Sequence, residues 1–230
     1  MLILALDTTS RAGSVAVVQD DIIRVELSGD IAITHGQRLP LELKRALDDA
    51  AVTIDGIDLF AVVAGPGSFT GLRVGIATIQ GLAMAEGKKV VALSALEILA
   101  RAAVDPTQPI AAWMDAQRGE VFAALYAPGG RDVLIEPVSA PPGDVLDTWR
   151  ERVDPATLTF IGDGAVRYEE AIAASAGGAR VVAPPPLAGL AGRIAATEPA
   201  RAILPHAIVP VYVRKSDAEL ARARREQPAR

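Results

Sequence analysis

Apolar runs that end in polar residues alternate with amphipathic segments through the first hundred positions of the chain. The apolar runs are rich in Val, Ile and Leu and are bounded by short polar or Gly-containing turns, a pattern typical of buried strands. The predicted strands span residues 2–9, 12–19, 20–27, 59–65 and 88–95. Residues 35–51 and 70–85 repeat apolar or small side chains at helical spacing and predict two helices. Together these elements predict an α/β unit.

The opening pattern returns in the second half of the chain. After a loop with two prolines at residues 105–109, an apolar strand ends at Asp115, a polar turn follows, and residues 120–127 form another strand. Asp7 stands at the same place in the first unit, so a duplicated architecture is predicted. Later segments predict a strand at 159–165, helices at 166–176 and 187–197, and loops at the proline-rich stretches 139–144 and 183–189.

Composition narrows the class of protein. The chain has 230 residues, half of them hydrophobic, and can bury the core of one medium domain or two small ones. It has no cysteine, which excludes disulfides and thiolate metal sites, and neither His35 nor His206 sits in a metal-ligand motif. No apolar run reaches the ~18 residues of a membrane span, and the N-terminal residues lack the basic start of a signal peptide. We therefore expect a cytoplasmic protein.

The charge of the chain bears on its partners. The formal net charge is −5, whereas a protein that binds nucleic acid alone usually has a basic face. The clearest basic cluster spans residues 214–225. We interpret it as the solvated end of a last helix, where Arg and Lys favour the helix dipole.

The glycine-rich stretch "GPGSFTGLRVG" at residues 65–75 lacks both common phosphate motifs. A Walker-type loop needs a Lys and then a Ser or Thr, but Leu72 and Arg73 follow Gly71. The dinucleotide fingerprint needs a third Gly where Thr70 stands. Gly71 and Gly75 instead place small residues four apart on a helix, which lets another backbone approach closely. That backbone belongs either to the chain's own sheet or to a second subunit.

Several further motifs resemble one protein family. The stretches "ILALDTTSRAGSVAV", "THGQRLP", "GPGSFTGLRVGIATIQGLA", "MDAQRGEVFAALY" and "PVYVRKS" occur in the order seen in the TsaB (YeaZ) family, and they span nearly the whole chain. The resemblance implies an α/β fold of the actin-like ATPase (ASKHA, ribonuclease H-like) superfamily, with two lobes of mixed sheet flanked by helices. The expected division is a first lobe at 1–104, completed by 206–230, and a reduced second lobe at 105–205.

The resemblance also implies a role in tRNA modification. The family is a non-catalytic relative of TsaD, the subunit that threonylcarbamoylates the adenosine beside the anticodon. TsaD holds its metal with an H-x-x-x-H pair, whereas here His35 is followed by Leu39 at the second position. We therefore expect no catalytic residues, cofactor or metal in this chain, with ATP and metal on partner subunits. The expected partners are TsaD and the ATPase TsaE, with tRNA bound only through the complex, and the chain alone is expected to form a homodimer without any membrane contact.

By the same resemblance, the helices at about 35–50 and 70–85 form the subunit interface. Gly71 and Gly75 are then part of an assembly surface, and Arg73 is a candidate for an ion pair between subunits, although a solvated arginine is the commoner case. The full set of predicted interface residues is His35, Leu39, Leu43, Phe69, Gly71, Leu72, Arg73, Gly75, Ile76, Thr78 and Ile79.

A weaker prediction concerns nucleotide binding, because the actin-like fold places phosphate and adenosine loops at strand ends. The residues at those places are Asp7, Thr8, Thr9, Asp115, Gly162, Asp163 and Gly164. We favour the alternative that Asp7 and the adjacent hydroxyls hold their hairpin by local hydrogen bonds. Two rival functions remain open: a small nucleotide-dependent phosphotransferase of the actin-like fold, and a metallopeptidase, which would contain stoichiometric metal.

Overall fold

The computed structural model describes residues 1–103 and 107–214, and within these ranges the chain forms two five-stranded mixed sheets. The first sheet contains β1 (Leu2–Asp7), β2 (Ser14–Gln19), β3 (Ile22–Ser28), β4 (Leu59–Val63) and β5 (Val90–Leu93). The second contains β6 (Ile110–Asp115), β7 (Val121–Tyr126), β8 (Val133–Ala140), β9 (Thr159–Ile161) and β10 (Arg180–Val182). The helices are α1 (His35–Asp49), α2 (Phe69–Ala85), α3 (Ala95–Ala102), α4 (Pro142–Arg150), α5 (Asp163–Arg167), α6 (Glu169–Ser175) and α7 (Leu187–Thr197).

The two sheets share one topology. The first has the order β3-β2-β1-β4-β5 and the second the order β8-β7-β6-β9-β10. In each, the first three strands form an antiparallel meander and the last two pair in parallel beside the first strand. The strand–aspartate–turn–strand pattern therefore reflects a duplicated architecture, as predicted.

Strand β1 shows why these apolar runs become central strands. Its side chains alternate between two faces of the sheet. Ile3 and Ala5 pack on the face that α7 covers, and Leu4 and Leu6 pack on the face of α1 and α2. Both faces are buried, so β1 is apolar throughout and not alternately polar.

Helix α7 belongs to the first sheet in space although it follows the second sheet in sequence. Gly192 brings it close to β2, because a Cβ added there would lie 2.5 Å from Val18 Cγ2. The expected division placed residues 187–197 in the second lobe, and this helix departs from that division. Residues 203–211 also lie against the first sheet: Ile203 pairs with Val90, and Val211 N–H donates to Ala64 O at 2.8 Å.

Several elements differ from the sequence-based prediction. The stretch 139–144 was expected to be a loop, but α4 begins inside it with Pro142 in its first turn, a position that tolerates proline. The helix expected at 166–176 is divided at Tyr168, whose φ of −111° ends α5 before α6 begins. Helix α3 and strands β8 and β10 were not predicted. Residues 105 and 106 of the expected loop, and 215–225 of the basic cluster, lie outside the described residues.

In the part of the chain that the structure describes, no helix combines the length and the apolar character needed to cross a bilayer.

Candidate functional site

Two of the three glycines of α2, Gly71 and Gly75, face Thr8, the residue that follows strand β1 in the same chain. A Cβ added to Gly71 would lie 2.1 Å from the backbone oxygen of Thr8, and one added to Gly75 would lie 2.1 Å from Thr8 Oγ1. The Thr8 hydroxyl uses this proximity to donate a hydrogen bond to Gly71 O at 2.8 Å. The backbone that the small residues admit is therefore intramolecular, and the expectation that these two glycines form an assembly surface is corrected.

The predicted interface residues separate into two groups by exposure. The residues buried within the first lobe are Leu39, Leu43, Gly71, Leu72, Gly75, Ile76 and Ile79. The side chains that reach the surface are those of His35, Phe69, Arg73 and Thr78. The predicted helices therefore do present an outer face, but most of the residues chosen for it point inward, because the apolar stripe of an amphipathic helix packs on its own core first.

The outward stripe of α2 is itself partly apolar. Phe69, Arg73, Ala77 and Met84 follow one another at helical spacing, and all four are exposed. Phe69 is 43% and Met84 64% exposed. Arg73 lies over the Phe69 ring, with its guanidinium carbon 3.9 Å from the ring centre. Such a stripe is a candidate protein-binding surface.

The segment at 203–212 extends this surface. Gln80 Nε2 donates to Pro205 O at 2.9 Å, which places the segment alongside α2. The rings of Phe69 and Tyr212 lie 5.5 Å apart, and Val209 is 74% exposed. We call the outward stripe of α2 together with Val209 and Tyr212 the apolar face. Sequence reasoning missed Met84, Val209 and Tyr212; an apolar residue on the outer side of a helix was the available signal for Met84.

His35 is bonded to protein groups on both ring nitrogens. Nε2 lies 2.9 Å from Ser10 O, so this nitrogen donates and Nδ1 accepts, in turn, from Arg38 Nη2 at 2.8 Å. Arg38 is buried and also donates to the backbone oxygens of Arg11 and Ala12. The Arg38 guanidinium thus occupies the space beside the His35 ring.

The protonation of His35 should make folding pH-dependent. Burial lowers the pKa of His35, the Ser10 carbonyl raises it, and the Arg38 guanidinium lowers it. Because the unfolded chain then binds the proton more readily, this stability contribution is full above the ordinary value of 6.5 and is lost as the pH falls below it. We expect the free energy of unfolding of the wild type to fall more steeply from pH 7.5 to 5 than that of His35→Gln, in urea titrations at each pH. Parallel pH profiles for the two proteins would contradict this expectation.

The side chains of Asp7, Thr8 and Thr9 all form hydrogen bonds with other groups of the protein. Asp7 Oδ1 accepts from the Thr9 amide at 2.8 Å and from the Thr9 hydroxyl at 2.6 Å. Thr8 points to α2 and not to the space between the lobes. All three side chains are buried. The two Asp7–Thr9 bonds are the local hydrogen bonds that the favoured alternative described, whereas the Thr8 hydroxyl bonds to Gly71 on α2 and not within the hairpin.

The structure brings together the other four residues of the nucleotide prediction. Asp163 Oδ1 accepts from the amides of Asp115 and Gly164 at 3.0 and 2.9 Å. The Asp115 carboxylate accepts from Arg167 Nη1 at 2.8 Å. Gly162 has a φ of +128° and passes within contact distance of the Trp113 carbonyl. The glycines here allow close passage of the protein's own backbone.

A cavity of about 360 Å³ lies between the lobes. Its lining includes the carboxylates of Asp7 and Asp163, the side chain of Arg11, and apolar groups such as Leu99 and Leu187. Burial raises the pKa of both aspartates, and the hydrogen bonds that each accepts lower it in part. The described lining of the cavity thus contains two carboxylates and one guanidinium.

Across the described ranges, no group of three or more His, Asp or Glu side chains is positioned to hold a metal ion.

Comparison with known proteins identifies relatives over about two thirds of the chain. Residues 30–186 match the family model TsaD, described as tRNA N6-adenosine threonylcarbamoyltransferase. The Bacillus subtilis protein named tRNA threonylcarbamoyladenosine biosynthesis protein TsaB is 29% identical over 151 residues, which are 66% of this chain and 65% of that protein. The chain thus spans slightly less than two thirds of this curated relative.

Solved structures of related proteins match this chain over nearly its full length. A Pseudomonas aeruginosa protein, described as uncharacterized with similarity to peptidase YeaZ, is 31% identical with a TM-score of 0.74, covering 93% of this chain and 99% of that one. The activator of 2-hydroxyisocaproyl-CoA dehydratase from Clostridium difficile has a TM-score of 0.52 at 12% identity, covering 86% of this chain and 95% of that one, which shows a shared fold alone. The predicted actin-like fold with two lobes is confirmed.

Proposed function

Because the chain belongs to the TsaB (YeaZ) family, we propose that it is an accessory subunit for threonylcarbamoylation of the adenosine beside the anticodon in tRNA. The observation that supports this proposal best is the apolar face on α2 and the adjoining segment 203–212. Phe69, Met84, Val209 and Tyr212 are large apolar side chains that remain exposed in the isolated chain. Burial of such a face favours association.

The proposed partner on this face is the catalytic subunit, a TsaD-type threonylcarbamoyl transferase. In the absence of that partner, a second copy of the chain would cover the same face and form a homodimer. Arg73 lies in the stripe between Phe69 and Ala77 and would supply a cation to the contact. The pathway's ATPase, TsaE, would join this complex, and tRNA would bind through the complex because the chain has a net charge of −5. The proposed place of action is the cytoplasm.

The proposed role is non-catalytic. His35, which resembles one of the two metal ligands of the catalytic relative, is bonded here to Ser10 and Arg38, and the buried Leu39 stands at the second ligand position. We therefore assign ATP and metal to the partner subunits. A metal analysis of the purified chain tests this assignment, and stoichiometric zinc or iron would contradict it.

Ala77→Arg tests the apolar face directly. Ala77 is exposed in the middle of the α2 stripe, so a long cation there should leave the fold intact and prevent close contact with a partner. We expect the dissociation constant for the catalytic subunit to rise at least about 30-fold, since such central contacts contribute about 2 kcal/mol or more. Light scattering after size exclusion, and calorimetric titration with the catalytic subunit, would measure the change.

Glu170→Arg on α6 is the matched control, because it adds the same side chain to an exposed helix of the second lobe. It should pair like the wild type. Normal pairing of a folded Ala77→Arg protein would exclude α2 as the interface. Failure of the wild type to pair with the catalytic subunit would exclude the proposed function itself.

A further inference from the structure

The last described residues connect the two lobes outside the sheets. Residues 203–211 are fixed to the first lobe by the Ile203–Val90 pairing, by the Gln80–Pro205 bond of 2.9 Å and by the Val211–Ala64 bond of 2.8 Å. Arg214, only three residues after Val211, reaches the second lobe. We call residues 203–214 the strap.

Arg214 is the attachment of the strap to the second lobe. Its Nη1 donates to Ala116 O at 2.9 Å and its Nε donates to Ser139 Oγ at 3.2 Å. Nη2 forms an ion pair with Glu120, and the guanidinium lies over the Phe122 ring. Four contacts on the ends of three second-sheet strands therefore converge on one side chain that is 23% exposed.

The Glu120 carboxylate that accepts from Arg214 is held in place by a second hydrogen bond. Ser139 donates its hydroxyl proton to Glu120 Oε2 at 2.8 Å, which orients the carboxylate toward Arg214. This hydrogen bond and the Arg214 guanidinium lower the pKa of Glu120, so the pair stays ionised in neutral solution. A planar guanidinium satisfies a carboxylate, a hydroxyl and a carbonyl at once, which an ammonium group does not.

The strap is short between its two attachments. Three extended residues span at most about 10 Å, so the second lobe cannot rotate away from β4 unless either the Val211 bond or the Arg214 contacts break. The Val211 end is supported by the buried Ile208 and by the close approach of Gly65, whose added Cβ would lie 2.7 Å from Val211 O. Val211 is attached through its backbone and Arg214 through its side chain, so a substitution at residue 214 removes the second attachment without altering the first.

The lobes also touch elsewhere, on the side of α3. Gly130, in the turn before β8, packs against the Ala100 carbonyl, and Arg131 forms an ion pair with Glu198 at 2.9 Å. The cavity between Asp7 and Asp163 is bounded by residues from both lobes.

The lobes also share a buried apolar core, in which Leu99 of α3 clusters with Ala5 of β1 and Met114 of β6. We propose that this core and the α3 contacts act as a hinge and that Arg214 is a latch that limits the width of the interlobe cleft.

Distance measurement between the lobes tests the latch in the chain alone, independently of any partner. Because the sequence has no cysteine, cysteines introduced at the exposed positions Lys89 and Glu170 give one spin label on each lobe. We expect a narrow distance distribution for the labelled parent protein. The distance distribution of Arg214→Ala should be clearly broader than that of the parent. Arg214→Lys should broaden it less, because lysine keeps the positive charge but lacks the planar guanidinium that bonds several acceptors at once.

Arg24→Ala is the control, because within the described residues this exposed arginine hydrogen-bonds to Gln19 of the first sheet, at 2.7 Å, and not to the second lobe. It should leave the distribution unchanged. Glu120→Gln, which removes the opposite charge, should reproduce the direction of the Arg214→Ala effect and covers the case in which that variant fails to fold. Distributions of folded Arg214→Ala or Glu120→Gln proteins that coincide with the parent, or an equal broadening in Arg24→Ala, would overturn the proposal.

Discussion

Gly71→Ala is expected to destabilise the protein by about 3 kcal/mol, although alanine is the better helix former by about 1 kcal/mol. The new methyl group would lie 2.1 Å from the Thr8 carbonyl, so either α2 or the end of β1 must move. The Thr8 backbone cannot move aside as the end of a long side chain would, because Thr8 and Gly71 are both buried and are hydrogen-bonded to each other. Urea unfolding followed by circular dichroism would measure the loss.

The same helix supplies the control for this prediction. Gly81 is exposed, and an added Cβ there would meet nothing within 4 Å. Gly81→Ala should therefore stabilise the protein by roughly 0.5–1 kcal/mol through helix propensity alone. Equal and favourable effects of both substitutions would show that α2 does not pack against β1 as described.

Arg38→Ala is the second substitution with a large expected effect, a loss of about 3 kcal/mol in the free energy of unfolding. Arg38 is 6% exposed, and its removal leaves Glu42 and the carbonyls of Arg11 and Ala12 without their shared donor. Arg38→Lys should lose less, since it keeps the charge near Glu42. Because Arg11 and Ala12 line the interlobe cavity, hydrogen exchange of this loop should accelerate in both variants.

Arg45→Ala is the matched control on the same helix. Arg45 is 71% exposed and lies 3.4 Å from Asp49, so its ion pair is screened by water. Its replacement should change stability by less than about 0.5 kcal/mol. If Arg38→Ala cost no more than Arg45→Ala, the buried network around His35 would not contribute to the fold.

Strong periodicity explains which elements could be predicted from the sequence. Helix α7 was predicted at the residues it occupies, because its apolar and small residues repeat without interruption. Helix α4 was missed because its prolines suggested a loop, although proline fits the first turn of a helix. Tyr168 divides a continuous helical pattern through a local backbone angle that periodicity does not encode.

The candidate site was predicted less well because it depends on tertiary contacts. A face of small residues on α2 indicates a close backbone but not whose backbone it is, and here it is that of Thr8. Tyr212 joins Phe69 only because the strap returns to the first lobe after about a hundred intervening residues of the second. The contact between Arg38 and His35 was easier to predict from the sequence than these tertiary contacts, since residues three apart on a helix are neighbours.

The return of α7 to the first sheet also has a consequence for biosynthesis. The face of β1 and β2 that carries Ala5 and Val18 is covered by a helix that leaves the ribosome only after the whole second lobe has been made. Domains generally fold as units as they emerge, but this first lobe is encoded in two separated pieces. A nascent chain that ends before α7 exposes an apolar sheet surface, and such surfaces recruit chaperones or aggregate. Synthesis through α7, and not of the first hundred residues alone, is therefore what covers this face of the first sheet.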